Sequence, residues 1–175
     1  MKHRFMAGAF SCLAAGMLFL TPVSKARAAD GEMVPALPRC LFMAADAQKI
    51  PRSILAALML TEGGHPGTEM PNRDGSHDLG VMQVNDRTWL NKVAYLLFDG
   101  DRAKARRELR DNGCLSLAVG AWIFRGYVDE AGGDYARAVG YYNSHTPVHM
   151  AAYQQRVRHN FVKLSQLMDY YRKGG

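Results

Sequence analysis

The stretch Pro51-Arg52-Ser53-Ile54-Leu55-Ala56-Ala57-Leu58-Met59-Leu60-Thr61-Glu62-Gly63-Gly64 decides the reading of this chain. Proline suits the first turn of a helix, where its missing N–H is not needed. Leu55, Leu58 and Met59 then form one apolar stripe, and Gly63, Gly64, Pro66 and Gly67 stop the helix near Glu62. Leu55, Leu58 and Met59 stand seven, four and three positions before Glu62, so the acid shares their apolar face. It also ends the helix, where the macrodipole is negative. Desolvation and dipole both disfavour the carboxylate, and a carboxyl group kept protonated near neutral pH is what general acid chemistry requires. The alternative is a surface glutamate on a frayed helix end.

Helical patterning continues on both sides. Leu41, Ala44, Ala45 and Gln48 place a helix from Cys40 to just before Pro51. Residues 63 to 79 are rich in Gly, Pro, Asn, Asp and Ser and read as an irregular loop. Helices are expected over about 86–98, 135–142 and from Val148 through Tyr171, with a charged helix or turn over 101–111. Residues 115–128 are apolar nearly all round (Leu117, Ala121, Trp122, Ile123, Phe124), which places that helix in the middle of a core. Alternating strand patterns are scarce, and no repeat appears. The expectation is a single, mainly α domain over 39–175.

The whole chain has 175 residues, 22 Lys+Arg against 16 Asp+Glu, and a formal charge of +6. Part of that charge is local. Residues 1–28 hold Lys2, Arg4, Lys25 and Arg27 and no acid, around an uncharged run from Phe5 to Leu20. With Ala26-Arg27-Ala28 as a small-x-small cleavage site, this is the order of a secretory signal peptide. A membrane anchor is the alternative, but the run is shorter than the ~20 apolar residues of a spanning helix. Removing the leader leaves 147 residues at +2, so the basicity is no argument for nucleic acid. Residues 29–38, with Gly31, Pro35 and Pro38, read as an extended arm. Cys12 falls in the leader. Cys40 and Cys114 remain as an even pair, for which an oxidising compartment favours a disulfide; two separate buried thiols are the alternative.

Two more segments carry candidate chemistry. One is Asn72-Arg73-Asp74-Gly75-Ser76-His77-Asp78-Leu79-Gly80-Val81-Met82-Gln83-Val84-Asn85; the other is Ala138-Val139-Gly140-Tyr141-Tyr142-Asn143. Thr61-Glu62-Gly63-Gly64, then Asp78 through Asn85, then Ala138 through Asn143 resemble in order and spacing the three signature motifs of the soluble lytic transglycosylases, family 23 glycosidases with a lysozyme-like α fold. The resemblance covers roughly Cys40 to Asn143 and is nearest to small members encoded with secretion, pilus or conjugation machinery, which also carry a cysteine pair.

The resemblance implies a periplasmic enzyme, without cofactor or metal, that cleaves the β-1,4 bond between N-acetylmuramic acid and N-acetylglucosamine in peptidoglycan. Glu62 matches the catalytic acid. It would protonate the glycosidic oxygen and then, as base, take the proton of the muramoyl 6-hydroxyl while a 1,6-anhydro ring closes. Met82 and Gln83 would line the sugar site. Tyr142 would hydrogen-bond Glu62, with Asn143 beside it in the groove wall and Tyr141 as the neighbouring phenol. Two positions depart from the family pattern. Gly63 replaces a serine, whose hydrogen bond would be absent or supplied by Ser76 or Thr61. Ser144-His145 replaces a small residue and glycine, so His145 would reshape the groove edge.

Other readings are weaker on physical grounds. Glu62-x-x-His65 has a metal-ligand spacing, but the glycine pair breaks the shared helical face it needs. Asn72, Asp74 and Asp78 lack the terminal bidentate Glu of a calcium loop and suit turn chemistry. Arg102, Arg106 and Arg110 form a basic stripe, read as a solvated face, with contact to anionic wall polymer or membrane as the functional alternative. The activity itself has two alternatives: a hydrolytic, lysozyme-type muramidase, or a weakly active peptidoglycan-binding assembly factor.

Overall fold

A computed structural model describes residues 37–174. The leader and residues 29–36 of the arm lie outside them. Helix α1 (Leu37–Ala47) begins three residues ahead of the expected start and takes in Leu37 and Pro38, since proline is tolerated in a first turn. Helix α2 (Arg52–Glu62) ends where the glycines require. Gly63 adopts φ +67° and its N–H donates to the Met59 carbonyl, so Glu62 is the last helical residue.

The segment after α2 departs from the expected irregular loop. It holds strands β1 (Glu69–Pro71) and β2 (His77–Leu79), which pair antiparallel with Met70 opposite Asp78. Strand β3 (Val84–Asn85) adds to β2, with Asp78 opposite Asn85. These strands are two or three residues long, too short for an alternating pattern to show in the sequence. The β1–β2 turn is closed by Asn72 N–H to the Ser76 carbonyl (2.8 Å), with Gly75 at φ +81°.

The remaining helices are α3 (Asp86–Leu97), α4 (Arg102–Asp111), α5 (Gly113–Glu130), α6 (Tyr135–Asn143) and α7 (Pro147–Arg172). Asn85, Asp101, Asn112 and Asp134 cap α3 to α6, each side chain accepting from a backbone N–H three residues on. As its composition requires, α5 is the core helix. It buries Leu117, Val119, Ala121, Ile123, Phe124 and Val128 and packs on α1, α4 and α6. Gly120 lies on this helix where any Cβ would meet the Met82 side chain at 2.7 Å, so the β2–β3 turn rests directly on α5.

Cys40 in α1 and Cys114 in α5 form a disulfide. It closes a loop across 74 positions, a constraint worth about 2–4 kcal/mol through the unfolded chain.

The basic stripe on α4 is not simply a solvated face. Arg106 bridges Glu69 on β1 (2.5 Å) and Asp86 at the start of α3 (2.5 Å), and Arg110 pairs with Asp111 (2.7 Å) and Glu69 (3.5 Å). These two guanidinium groups pin the small sheet to the helices, while Ala105 and Leu109 on the same helix are fully buried. Both guanidinium groups are thus paired with carboxylates of this chain.

Candidate active site

The chain's chemistry converges on a cleft of about 380 Å³. Glu62 lies at its floor, with Asp78, Gln83, Asn85 and Trp89 on the side of the sheet and α3. Tyr127, Tyr141, Tyr142, Asn143 and His145 form the facing wall from α5, α6 and the turn after α6. The glutamate is thus carried by a helix end whose apolar neighbours Leu55 and Leu58 are buried in the core.

Burial is the main influence on Glu62, and it pushes the carboxyl up. The hydrogen bond from Tyr153 pulls it down, the nearby Asp78 charge pushes it up, and Arg156 pulls it down; the outcome is a pKa of about 7. A group so poised is protonated for a substantial fraction of the time at neutral pH and can both give and take a proton.

The hydroxyl of Tyr153, on α7, donates to Glu62 Oε1. This corrects the expectation that Tyr142 makes that bond. Tyr142 instead donates to the Met82 carbonyl at 3.2 Å, while its ring stands edge-on to Phe124 and Tyr127. Its phenol is pushed well above the ordinary range by burial, with the Glu62 charge adding. Tyr142 therefore holds the β2–β3 turn against α6, and Tyr153 positions the acid. Two turns further along α7, Asn160 donates to the Thr61 hydroxyl at 3.0 Å, and Thr61 donates to the Ala57 carbonyl at 2.7 Å. The sequence held a signal for Tyr153: it stands four residues before Val157, on the same face of α7. The apolar stripe simply begins one turn earlier than its purely aliphatic and Phe members suggest.

Two further expectations are corrected. Met82 does not line the cleft. It is fully buried, packed on Gly120, and its N–H donates to Ser116 Oγ at 3.0 Å. A thioether fits that dry interior better than a polar groove. Ser76 is buried in the β1–β2 turn, where it donates to Asp74 (2.7 Å) and accepts from Asn72 (3.1 Å) and Asn85 (3.0 Å). With Thr61 bonded to Ala57 and Asn160, neither hydroxyl replaces the serine missing at Gly63.

Gln83 does line the cleft, and it is held there at a price in backbone strain. Its φ is +48°, uncommon for a residue with a Cβ, and its Nε2 donates to the Gly80 carbonyl at 2.7 Å. Tyr141 and Asn143 also line it. Tyr141 stacks on His145, with ring centroids 4.2 Å apart and planes 19° off parallel, and His145 Nε2 contacts Glu130 Oε1 at 2.8 Å. The departure at His145 thus gives the groove edge an aromatic wall. Asp74, Asn72 and Asp78 are occupied by internal hydrogen bonds and by Arg87. Among the described residues, no group of three or more His, Cys, Asp or Glu is placed to hold a metal.

A family model described as Transglycosylase SLT domain matches residues 39–161. The chain belongs to this family. No curated protein and no solved structure matches it significantly. The match spans α1 to α6 and runs into α7 as far as Phe161, so the SLT domain includes Tyr153 and Asn160 along with the three motifs. Membership in the SLT family implies a lytic transglycosylase or lysozyme-like protein that acts on peptidoglycan.

The Tyr153–Glu62 bond gives a test within this domain. The bond favours the charged carboxylate, so Tyr153→Phe is expected to raise the Glu62 pKa and move the alkaline limb of the pH–activity profile upward. Loss of positioning should lower kcat roughly tenfold. An alkaline limb that stays in place would show that the bond does not tune the acid.

Proposed function

We propose that this chain is an exported lytic transglycosylase of the periplasm. In this reading residues 1–28 are its leader, and it opens peptidoglycan locally while a secretion, pilus or conjugation apparatus is assembled. The supporting observation is a partly buried glutamic acid of pKa about 7, held by a tyrosine at the floor of a polar cleft within an SLT domain. The protonated Glu62 gives its proton to the glycosidic oxygen as the C1–O bond breaks. The resulting carboxylate then takes the proton of the muramoyl 6-hydroxyl, whose oxygen bonds to C1. One proton is given and one recovered, no water enters, and the acid is restored for the next turnover.

A second reading, hydrolysis, is favoured by one observation. Asp78 lines the same cleft, and its charge reaches Glu62. A second carboxylate across the scissile bond is what hydrolytic glycosidases use. Digestion of purified sacculi followed by mass spectrometry separates the two. The transglycosylase gives 1,6-anhydro-muramoyl ends, lighter by one water than hydrolytic ends, and Asp78→Asn retains that product. Hydrated ends only, with turnover lost in Asp78→Asn, would establish the muramidase instead.

A further inference from the structure

The last helix continues well past the domain it closes. Its first half is anchored: Tyr153 and Val157 are buried, Leu164 is packed on the core, and α7 lies against α2 and α6. The same apolar face then runs on through Leu167, Met168 and Tyr171, which are 51%, 59% and 67% exposed. Phe161, Leu164, Met168 and Tyr171 are spaced three, four and three apart, one continuous stripe. A helix end leaving a domain needs no such stripe; polar residues would serve it better. The family match stops at Phe161, so this face extends beyond the SLT domain.

Charge narrows the choice of occupant. From Arg156 to Lys173 the helix and its end carry Arg156, Arg158, Lys163, Arg172 and Lys173 against Asp169 alone. A second copy laid on this face would bring like charges together. Tyr170 and Tyr171 stand at the far end, 60% and 67% exposed, as amphipathic rings do at a boundary between apolar and wet surroundings. Lysine and arginine beside an apolar stripe can extend their charged ends to headgroups while their stems stay apolar. Among the described residues no helix is long and apolar enough to cross a membrane, so such a helix would lie in the plane of the interface.

We propose that the C-terminal half of α7 is a docking face for an anionic lipid surface, gripping it with Leu167, Met168 and Tyr171 and with Lys163, Arg172 and Lys173. Tyr153, which holds the candidate acid, lies on the same helix 18 residues before Tyr171, about 27 Å at a helical rise. Lipid docking would therefore keep the cleft close to the bilayer. The docking face does not depend on what the cleft catalyses.

Vesicle flotation tests this directly. The full chain is purified from an exporting host, and its N-terminus is read by mass so that wild type and variants are compared in the same leader state. Wild type is expected to float with vesicles of phosphatidylglycerol and phosphatidylcholine, more weakly with phosphatidylcholine alone, and less as salt rises. Leu167→Glu/Met168→Glu should lower binding to the anionic vesicles at least about tenfold. Lys163→Glu/Arg172→Glu/Lys173→Glu should erase the preference for anionic lipid. Circular dichroism and turnover of dissolved glycan should stay unchanged in both variants. Failure of wild type to bind anionic vesicles, or equal binding by the variants, overturns the proposal. So would a concentration-dependent dimer that Leu167→Glu/Met168→Glu breaks in the absence of vesicle binding, which assigns the face to a second copy.

Discussion

Glu62→Gln is expected to lower peptidoglycan turnover by about 10²- to 10⁴-fold, the range attached to a positioned general acid, and to raise the melting temperature in alkaline buffer. Glutamine keeps the shape and still offers an oxygen to the Tyr153 hydroxyl, but it can neither give nor recover a proton. The stability change follows from the raised pKa, which moves from an ordinary 4.5 to about 7. A raised carboxyl pKa means the folded state holds its proton more tightly than the unfolded chain. That contribution is fully present below 4.5 and is lost as pH rises through about 7. Above that the wild type carries a partly buried charge at a penalty of about 2–4 kcal/mol, which the glutamine variant lacks. Thermal melts at acid pH should coincide, and melts well above pH 7 should favour the variant. Turnover above a tenth of wild type would place the acid elsewhere, and coincident alkaline melts would show that Glu62 is not perturbed.

The helices were legible because each depends on a local pattern: an apolar stripe at α1, a proline start at α2, an apolar wrap at α5. The position of Glu62 was legible for the same reason, since a stripe and a glycine stop fix both its face and its end. The strands were not, because β1 to β3 are two or three residues long, too short to alternate, and the ion pairs of Arg106 and Arg110 that tie them to α4 join residues far apart in the sequence. The partner of the acid was hidden in another way. Tyr142 and Tyr153 both stand near Glu62 once the chain is folded, and which hydroxyl reaches the carboxyl is decided by how α7 packs on α2 and α6. Resemblance placed Met82 at the sugar, whereas packing on Gly120 puts its side chain in the core and leaves only its carbonyl to orient Tyr142.

The same packing makes Gly80 the most sensitive backbone position near the site. Its φ is +66°, where a side chain is strained, and a Cβ there would press into the Leu109 carbonyl oxygen and stand 3.0 Å from Ser116 Oγ and 3.2 Å from the Arg110 carbonyl. On its other side Gly64 lies so close to the Gly80 carbonyl that a Cβ at Gly64 would overlap it. That carbonyl also accepts from Gln83 Nε2, and the Gly80 N–H donates to Thr68 at 2.8 Å. The end of α2, the β2–β3 turn and the end of α4 thus meet at two glycines with no room between them. Gly80→Ala combines left-handed strain with overpacking against backbone, an expected loss of about 2–5 kcal/mol. For a domain of this size that lowers the melting temperature by roughly 5–20 °C. Activity at a temperature where the variant is still folded should fall as well, because Gln83 and the loop beside Glu62 must shift to admit the methyl group. Gly132→Ala provides the comparison, since its φ is +65° but nothing lies within 4 Å of a Cβ there, so it carries the strain alone. Equal melting temperatures for the two variants would mean that the close approach at Gly80 is not what holds the cleft together.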